Sequence, residues 1–337
     1  MLRIRYLSAL LLSAVLPIIS SAATSPTDYR RSPYVGAVSA CEENRAIRSS
    51  DGTVSRHKEW HRLCSDGADN PAYIASVTKL MTLLLVIEDI RAGKYTFDKE
   101  IIATDDVVHS EPSWMGLKAG DCVKVKDLCL ALMVESANDA AIVLGVNSAG
   151  SFNAFIEKMN ARAVQLGMKN TRYYNPNGLP PSAKRRYPWK AYNVSTANDQ
   201  LKLAMHIVKF PEIFDFTSVK TCDLIKTANG FRVSVTRQAG KNISNTRLAA
   251  GEKLVKTMLN HNEILRLDKY RILNSAGKEV VDGLKTGYID AGGSSLILTG
   301  KEGDKRVIVV VLGSSSKEER DSNAWRLMMD ALMVTSW

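Results

Sequence analysis

The stretch that most restricts what this chain can become runs from Leu80 to Ile87, Leu-Met-Thr-Leu-Leu-Leu-Val-Ile. As a helix it is apolar on every face, and a helix without a polar face has to be enclosed by other structure. The chain is long enough to enclose it. Its 337 residues, 45% apolar and 24% charged, suffice for one large core or two modest ones and are too apolar for disorder. After residue 20 no apolar run is long enough to span a bilayer, so the expectation is a soluble globular protein.

Other segments fall into place around that helix. Tyr34 to Ala40 reads as a first strand, followed by a charged stretch over 42–70 that reads as an insertion or a solvated helix. Val125–Val134 and Ala140–Val146 read as further buried helices. Phe152 to Leu166 is amphipathic, with Gly167 closing it. Tyr173 to Tyr192, rich in Pro, Gly, Asn and basic residues, is a loop. Ser195 is expected to cap a helix over Thr196–Val208 that Pro211 limits. In the last third, Val280-Val281 leads into Gly283–Ile289, and Ser294–Thr299 and Arg306–Leu312 flank a Gly-Lys-Glu-Gly-Asp-Lys turn as a hairpin. Ala324, Leu327, Met328, Ala331 and Leu332 recur at helical spacing. Strands at both ends with helices between them predict an α/β class (an α+β sandwich). The N- and C-terminal strands meet in one antiparallel sheet flanked by helices, and a helical subdomain is inserted.

Met1 to Ala23 has the layout of a secretory signal: Arg3 and Arg5, an apolar Leu7–Ile19, then Ser21-Ala22-Ala23. Cleavage near Ala22 or Ala23 would send the chain to the periplasm or cell envelope, with an uncleaved anchor as the alternative and 24–33 as a loose leader. Losing Arg3 and Arg5 lowers the formal charge from +10 to +8, which suits an anionic envelope or serves solubility. No nucleic-acid motif occurs, and at most peripheral membrane contact is expected. In an oxidising compartment Cys41, Cys64, Cys122, Cys129 and Cys222 allow two disulfides and one thiol; Cys41–Cys64 and Cys122–Cys129 are the local candidates. His57, His61 and Cys64 have the i, i+4, i+7 spacing of a helical metal site, but Glu59 is misplaced for a zinc-protease pattern, and no metal is expected.

Chemistry concentrates in three short stretches. In Ile74-Ala75-Ser76-Val77-Thr78-Lys79, Ser76 and Lys79 stand three apart at the entrance of the buried helix, on one face. An alkyl alcohol needs a base beside it to become a nucleophile. A lysine serves only when burial or a neighbouring cation lowers its pKa. Ser55/Lys58, Ser275/Lys278 and Ser314/Lys317 repeat the spacing in polar, turn-like contexts. The second stretch is Glu135-Ser136-Ala137-Asn138, a polar break between two buried helices. It is either a pair that demands partners or a helix cap. The third is Gly283-Leu284-Lys285-Thr286-Gly287-Tyr288, on a strand, with a cation, a hydroxyl, and glycine where a ligand would approach the backbone. The ordinary alternative is an edge strand carrying a lysine.

Ser-x-x-Lys, Ser-x-Asn and Lys-Thr-Gly in this order resemble the penicillin-recognising serine enzymes. Within them the chain is similar to the low-molecular-weight penicillin-binding proteins, the D-Ala-D-Ala carboxypeptidases of peptidase family S11, including endopeptidase-like members. IASVTKLMT at 74–82, LGMKNT at 166–171, Asn177-Gly178-Leu179, NVSTA at 193–197 and LKTGYIDAGG at 284–293 carry the likeness, which covers roughly residues 34–334. It implies a β-lactamase/transpeptidase-like fold and an acyl-enzyme on Ser76, with Lys79 as proton acceptor. Ser136 and Asn138 would carry protons and hold the peptide, Lys285 and Thr286 would engage a terminal carboxylate, and the N–H groups of Ser76 and of Tyr288, next to Gly287, would bind the oxyanion. Arg320 matches a carboxylate-binding arginine or is a surface residue. No cofactor is implied. The implied partners are peptidoglycan stem peptides, with β-lactam antibiotics as covalent inhibitors.

Three departures stand out: Ala137 in place of a central glycine, the long 42–70 stretch, and the basic tract Lys184-Arg185-Arg186. The expected organisation is one peptidase domain over 34–337 without a C-terminal β-domain. Carboxypeptidase and endopeptidase action both remain open. A β-lactamase is disfavoured because Gln165–Thr171 holds no acid to activate water, and a non-catalytic wall-binding protein is the remaining alternative.

Overall fold

The computed structural model describes residues 34–48, 53–104, 113–180, 191–235 and 246–333. The expected signal segment, the leader and the Lys184-Arg185-Arg186 tract lie outside them.

Two long strands open the described chain, β1 (Gly36–Arg48) and β2 (Val54–Asp66). After β3 (Ala72–Tyr73), a 3-10 turn over Ala75–Thr78 runs directly into α1 (Lys79–Arg91). Then come β4 (Glu100–Ile102), β5 (Cys122–Lys124), α2 (Val125–Val134), α3 (Asn138–Ala149) and α4 (Phe152–Gln165). Next are β6 (Val194–Ser195), α5 (Ala197–Ile207) and α6 (Phe214–Thr217). The chain continues through β7 (Thr221–Lys226), β8 (Phe231–Val235), β9 (Lys253–Leu259) and α7 (Glu263–Arg266). It closes with β10 (Val281–Ile289), β11 (Gly293–Glu302), β12 (Lys305–Ser314) and α8 (Lys317–Met333).

The main sheet is antiparallel in the order β10-β11-β12-β1-β2, so the terminal strands meet as expected, Gly36 opposite Leu312 and Glu42 opposite Arg306. In β12 the alternation sorts the core. Val307, Val309 and Val311 pack with Ala324, Met328 and Ala331 of α8, while Ile308, Val310 and Leu312 face the helical region. Both faces are covered, which is why β12 reads as an unbroken apolar run. In the helical region, α1 is buried all round, Leu80 to Ile87 being at most 2% exposed. Among the described residues no helix is long and apolar enough to cross a membrane.

Several expectations are corrected. The charged 42–70 stretch holds most of a β-hairpin arm, with Glu42 opposite Trp60 and Asn44 opposite Lys58. On a strand the helical spacing of His57, His61 and Cys64 loses its meaning, because seven residues of extended chain span roughly 23 Å. All five cysteines carry free thiols. Cys41 faces His61 and Cys64 faces Ser39, so the first pair is out of register, while Cys129 is buried in α2 and Cys122 lies on β5. Thr196, not Ser195, caps α5 by accepting from the Asp199 N–H (3.2 Å); Ser195 is paired in β6. A second sheet in the order β8-β7-β9 occupies 221–259, a region whose residue pattern does not predict strands.

Candidate active site

Fold and sequence converge where the 3-10 turn of Ser76 docks against β10. Gly287 makes that docking possible: a Cβ there would lie 2.8 Å from the Ile74 carbonyl and 3.1 Å from the Ser76 nitrogen. The glycine of this stretch is therefore required by the turn that carries Ser76, which corrects the expectation that a ligand fills the space. Ala75 (φ 45°) and Ser136 (φ 62°) take the left-handed backbone conformation that side-chain-bearing residues rarely adopt, and both sit at this junction.

Lys79 begins α1 and is wholly buried. Its Nζ donates to Ser76 Oγ (2.8 Å), Asn138 Oδ1 (2.8 Å) and the Asn177 carbonyl (2.6 Å). Burial, then the nearby Lys285 cation, push its pKa well below the lysine range, with Asp139 opposing. The proton count of the neutral form orients the amine. It has two N–H bonds and one lone pair; the two amide oxygens can only accept, whereas a serine hydroxyl can donate. The lone pair of neutral Lys79 therefore faces Ser76 Oγ. That is the geometry of a general base on a nucleophile.

The other stretches close around this pair. Lys285 is 2% exposed and its Nζ donates to Ser136 Oγ (3.0 Å) and to the Thr286 carbonyl (3.0 Å). Both acceptors are neutral. Burial, followed by the charge of Arg320, pushes the Lys285 pKa down to about 7. Ser136 lies between α2 and α3 and Asn138 is the first residue of α3; Ala137 is the N-cap and no side chain caps the helix. Of the competing reading, Asn138 does start the helix, but neither residue caps it with its side chain. Thr286 is buried. The Tyr288 side chain is half exposed and donates to Asp290 (2.8 Å), leaving only its backbone for the site. Arg320 is 2% exposed rather than on the surface; its Nε donates to Asp321 (2.8 Å).

The sequence reading missed how the Asn177 carbonyl is held. Asn175 Oδ1 accepts from the N–H groups of Asn177 (3.2 Å) and Gly178 (2.5 Å). Asn193 Nδ2 donates to the Asn175 carbonyl (2.9 Å) and to Thr78 Oγ1 (2.9 Å), and Thr82 Oγ1 donates to the Pro176 carbonyl (2.7 Å). Gly178 (φ 83°) admits nothing larger, since a Cβ would sit 1.8 Å from the Ala75 carbonyl. A buried Asn-Pro-Asn-Gly loop beside a Ser-x-x-Lys turn is the one signal that could have marked this support.

Comparison with known proteins agrees with the geometry. A model of the Peptidase S11 family, D-alanyl-D-alanine carboxypeptidase, matches residues 61–258, more than half of the chain. The chain belongs to family S11. Its similarity to the D-alanyl-D-alanine carboxypeptidase DacD of Escherichia coli is 32% identity over 261 residues, 75% of this chain and 55% of that protein. The crystal structure of the D-alanyl-D-alanine carboxypeptidase DacD from Francisella tularensis superimposes with a TM-score of 0.68 at 27% identity, covering 96% of this chain and 74% of that one. Penicillin-Binding Protein D2 from Listeria monocytogenes, in its cefotaxime-bound form, gives 0.61 at 26% identity over 89% and 97% of the two chains. The S11 chain spans about half the length of the first curated carboxypeptidases it matches, 54–56%. The family-model match includes Ser76, Lys79, Ser136 and Asn138, and stops short of Lys285.

Proposed function

We propose that this chain is an exported serine D-Ala-D-Ala carboxypeptidase that trims peptidoglycan stem peptides through an acyl-enzyme on Ser76. One observation carries the proposal: a fully buried lysine, with only neutral acceptors at its Nζ, 2.8 Å from a serine hydroxyl. Ser76 Oγ attacks the carbonyl of the penultimate D-alanine and passes its proton to Lys79 Nζ. The N–H groups of Ser76 and Tyr288 receive the oxyanion. Collapse breaks the C–N bond, and the departing D-alanine amine takes a proton relayed from Lys79 by Ser136. Water then cleaves the ester and returns the hydroxyl proton to Ser76. Lys285, buried with only neutral acceptors, favours a ligand that ends in a carboxylate, with Thr286 as a further donor, while Arg320 nearby is held in an ion pair with Asp321.

A β-lactam presents a strained amide beside a carboxylate, so it should acylate the same hydroxyl, as the cefotaxime-bound relative suggests. Incubation with a fluorescent penicillin is expected to label the wild type and leave Ser76→Ala unlabelled. An intact-mass spectrum of the wild type without an adduct contradicts the proposal. Digestion of purified wall fragments reads the bond that is cut: loss of one alanine is expected, and opened cross-links would assign an endopeptidase instead.

A further inference from the structure

The hairpin arm of β1 and β2 has no part in the acylation site, yet it walls a groove of about 430 Å³ with the corner between α5 and α6 and the turn between β11 and β12. That volume lies in the range of ligand clefts. The floor is apolar, made by Val208, Pro211 and Phe214. Arg306 is buried beneath the rim. It lies 4.5 Å over the Phe214 ring and donates to both Asp282 oxygens (3.1 Å each). Its charge is thus consumed within the protein. Glu42 faces Lys58 at 3.8 Å, and Asp304 accepts from Asn44 (2.9 Å). Lys209 and Lys301 are different: both are exposed, and neither ammonium has a hydrogen-bond or ion-pair partner among the described residues. With Lys58 set against Glu42 and Arg306 against Asp282, the groove presents two lysines without a contact partner against the one carboxylate of Asp304, a positive balance above an apolar floor.

From this we infer that the groove is a secondary binding site for a carboxylate-bearing glycan-peptide strand, the wall polymer itself, away from the bond being cut. Choosing the wall polymer rests on the proposed function; the groove and its charges do not. Sugar rings offer C–H faces to an apolar floor, and peptide and lactyl carboxylates meet Lys209 and Lys301. Ile297 of β11 stands opposite Lys285, and Lys301 is four residues further along that strand. The groove thus lies roughly 13 Å along the sheet from the level of Lys285. A strand held there would keep the enzyme on its polymer while stem peptides enter the acylation site.

The test uses the full chain carrying Ser76→Ala, so that nothing is cut, and measures pelleting with purified peptidoglycan sacculi at low salt. K209E/K301E is compared with K169E/K253E, which makes the same change in net charge at exposed lysines elsewhere. The groove pair is expected to weaken binding about fivefold to thirtyfold and the control pair less than about twofold. Equal losses in both pairs, or no loss in either, overturn the inference. So does a groove pair that loses pelleting with anionic phospholipid vesicles but keeps its sacculus binding. Penicillin labelling of K209E/K301E with Ser76 intact should match the wild type. A wild type that takes no penicillin but binds sacculi through the groove would sink the catalytic proposal alone.

Discussion

Among the described residues serine–lysine contacts of nearly equal length occur at three places; Lys79–Ser76 and Lys285–Ser136 meet in the candidate site, and the third lies outside it. At the junction of α1, α3 and α4, Lys158 Nζ donates to Ser148 Oγ at 2.9 Å, against 2.8 Å between Lys79 and Ser76. The surroundings separate them. Lys158 also holds both oxygens of buried Asp89, at 2.7 and 2.6 Å, and Lys94 adds a third contact. Burial alone would raise the Asp89 pKa, but the hydrogen bonds from Lys158, Lys94 and Ser148 bring it below the usual carboxylate range. That cluster is an ion pair pinning three helices. Around Lys79 the other acceptors are amide oxygens, so no charge stabilises the ammonium at contact distance. A short Ser–Lys distance therefore says little until the remaining acceptors are counted.

The contrast between the two lysines can be broken from either side. Lys79→Ala is expected to slow penicillin acylation by about 10²–10⁴-fold, whereas Lys158→Met should leave the rate unchanged and lower unfolding stability by about 1–3 kcal/mol, read by denaturant melts. Asn138→Asp would give Lys79 the carboxylate that Lys158 already has. Its acylation should fall about 10- to 1,000-fold at neutral pH, with the acid limb displaced upward by about 1–3 pH units. Asn193→Ala removes the donors that hold Thr78 and the loop bearing the Asn177 carbonyl. About a tenfold loss in acylation is expected, with the stability cost of an unpaired buried group, about 1–3 kcal/mol.

The pH dependence has two limbs of opposite sign. Lys79 must be neutral to accept a proton, so acylation rises as pH climbs through its depressed pKa. Lys285 must be charged to hold a carboxylate, so peptide turnover falls as pH climbs through about 7. Lys285→Arg should erase the alkaline limb and keep the acid one. Stability carries a pH dependence of its own. Lys285 is neutral in the folded chain but charged in the unfolded chain between about 7 and the ordinary lysine value. Lys285 should therefore add about 1.4 kcal/mol per unit to the rise of stability with pH across that window, beside the same-signed contribution of Lys79, and Lys285→Met should remove its share.

Much of this could be read from residues alone. α2 matches its expected span because Lys124 and Glu135 bound a run that is apolar apart from Lys126 and Asp127 in its first turn, and of the three chemical stretches the first two stand at element boundaries while the third lies within β10. What stayed hidden depends on partners far along the chain. The Asn193 bonds join residues 18 and 115 apart, and such contacts leave no local period. Arg320 is buried because its neighbour Asp321 turns inward with it, which a charged helix start does not announce. The arm of β1 and β2 is charged on a strand where most strands are apolar, so its residues resembled a solvated helix. In β9, Leu254, Val255 and Leu259 are exposed while Met258 is buried, which obscures the alternation of a half-buried strand.

Whether Lys79 is an uncharged amine in the resting protein can be measured directly, by an NMR titration of lysines labelled with ¹³C at Cε, assigned with Lys79→Met and Lys285→Arg. The expected result is two lysines with midpoints far below the rest, one near pH 7 for Lys285 and one also strongly depressed for Lys79. A Lys79 resonance that titrates with the surface lysines, near pH 10.4, would contradict the account.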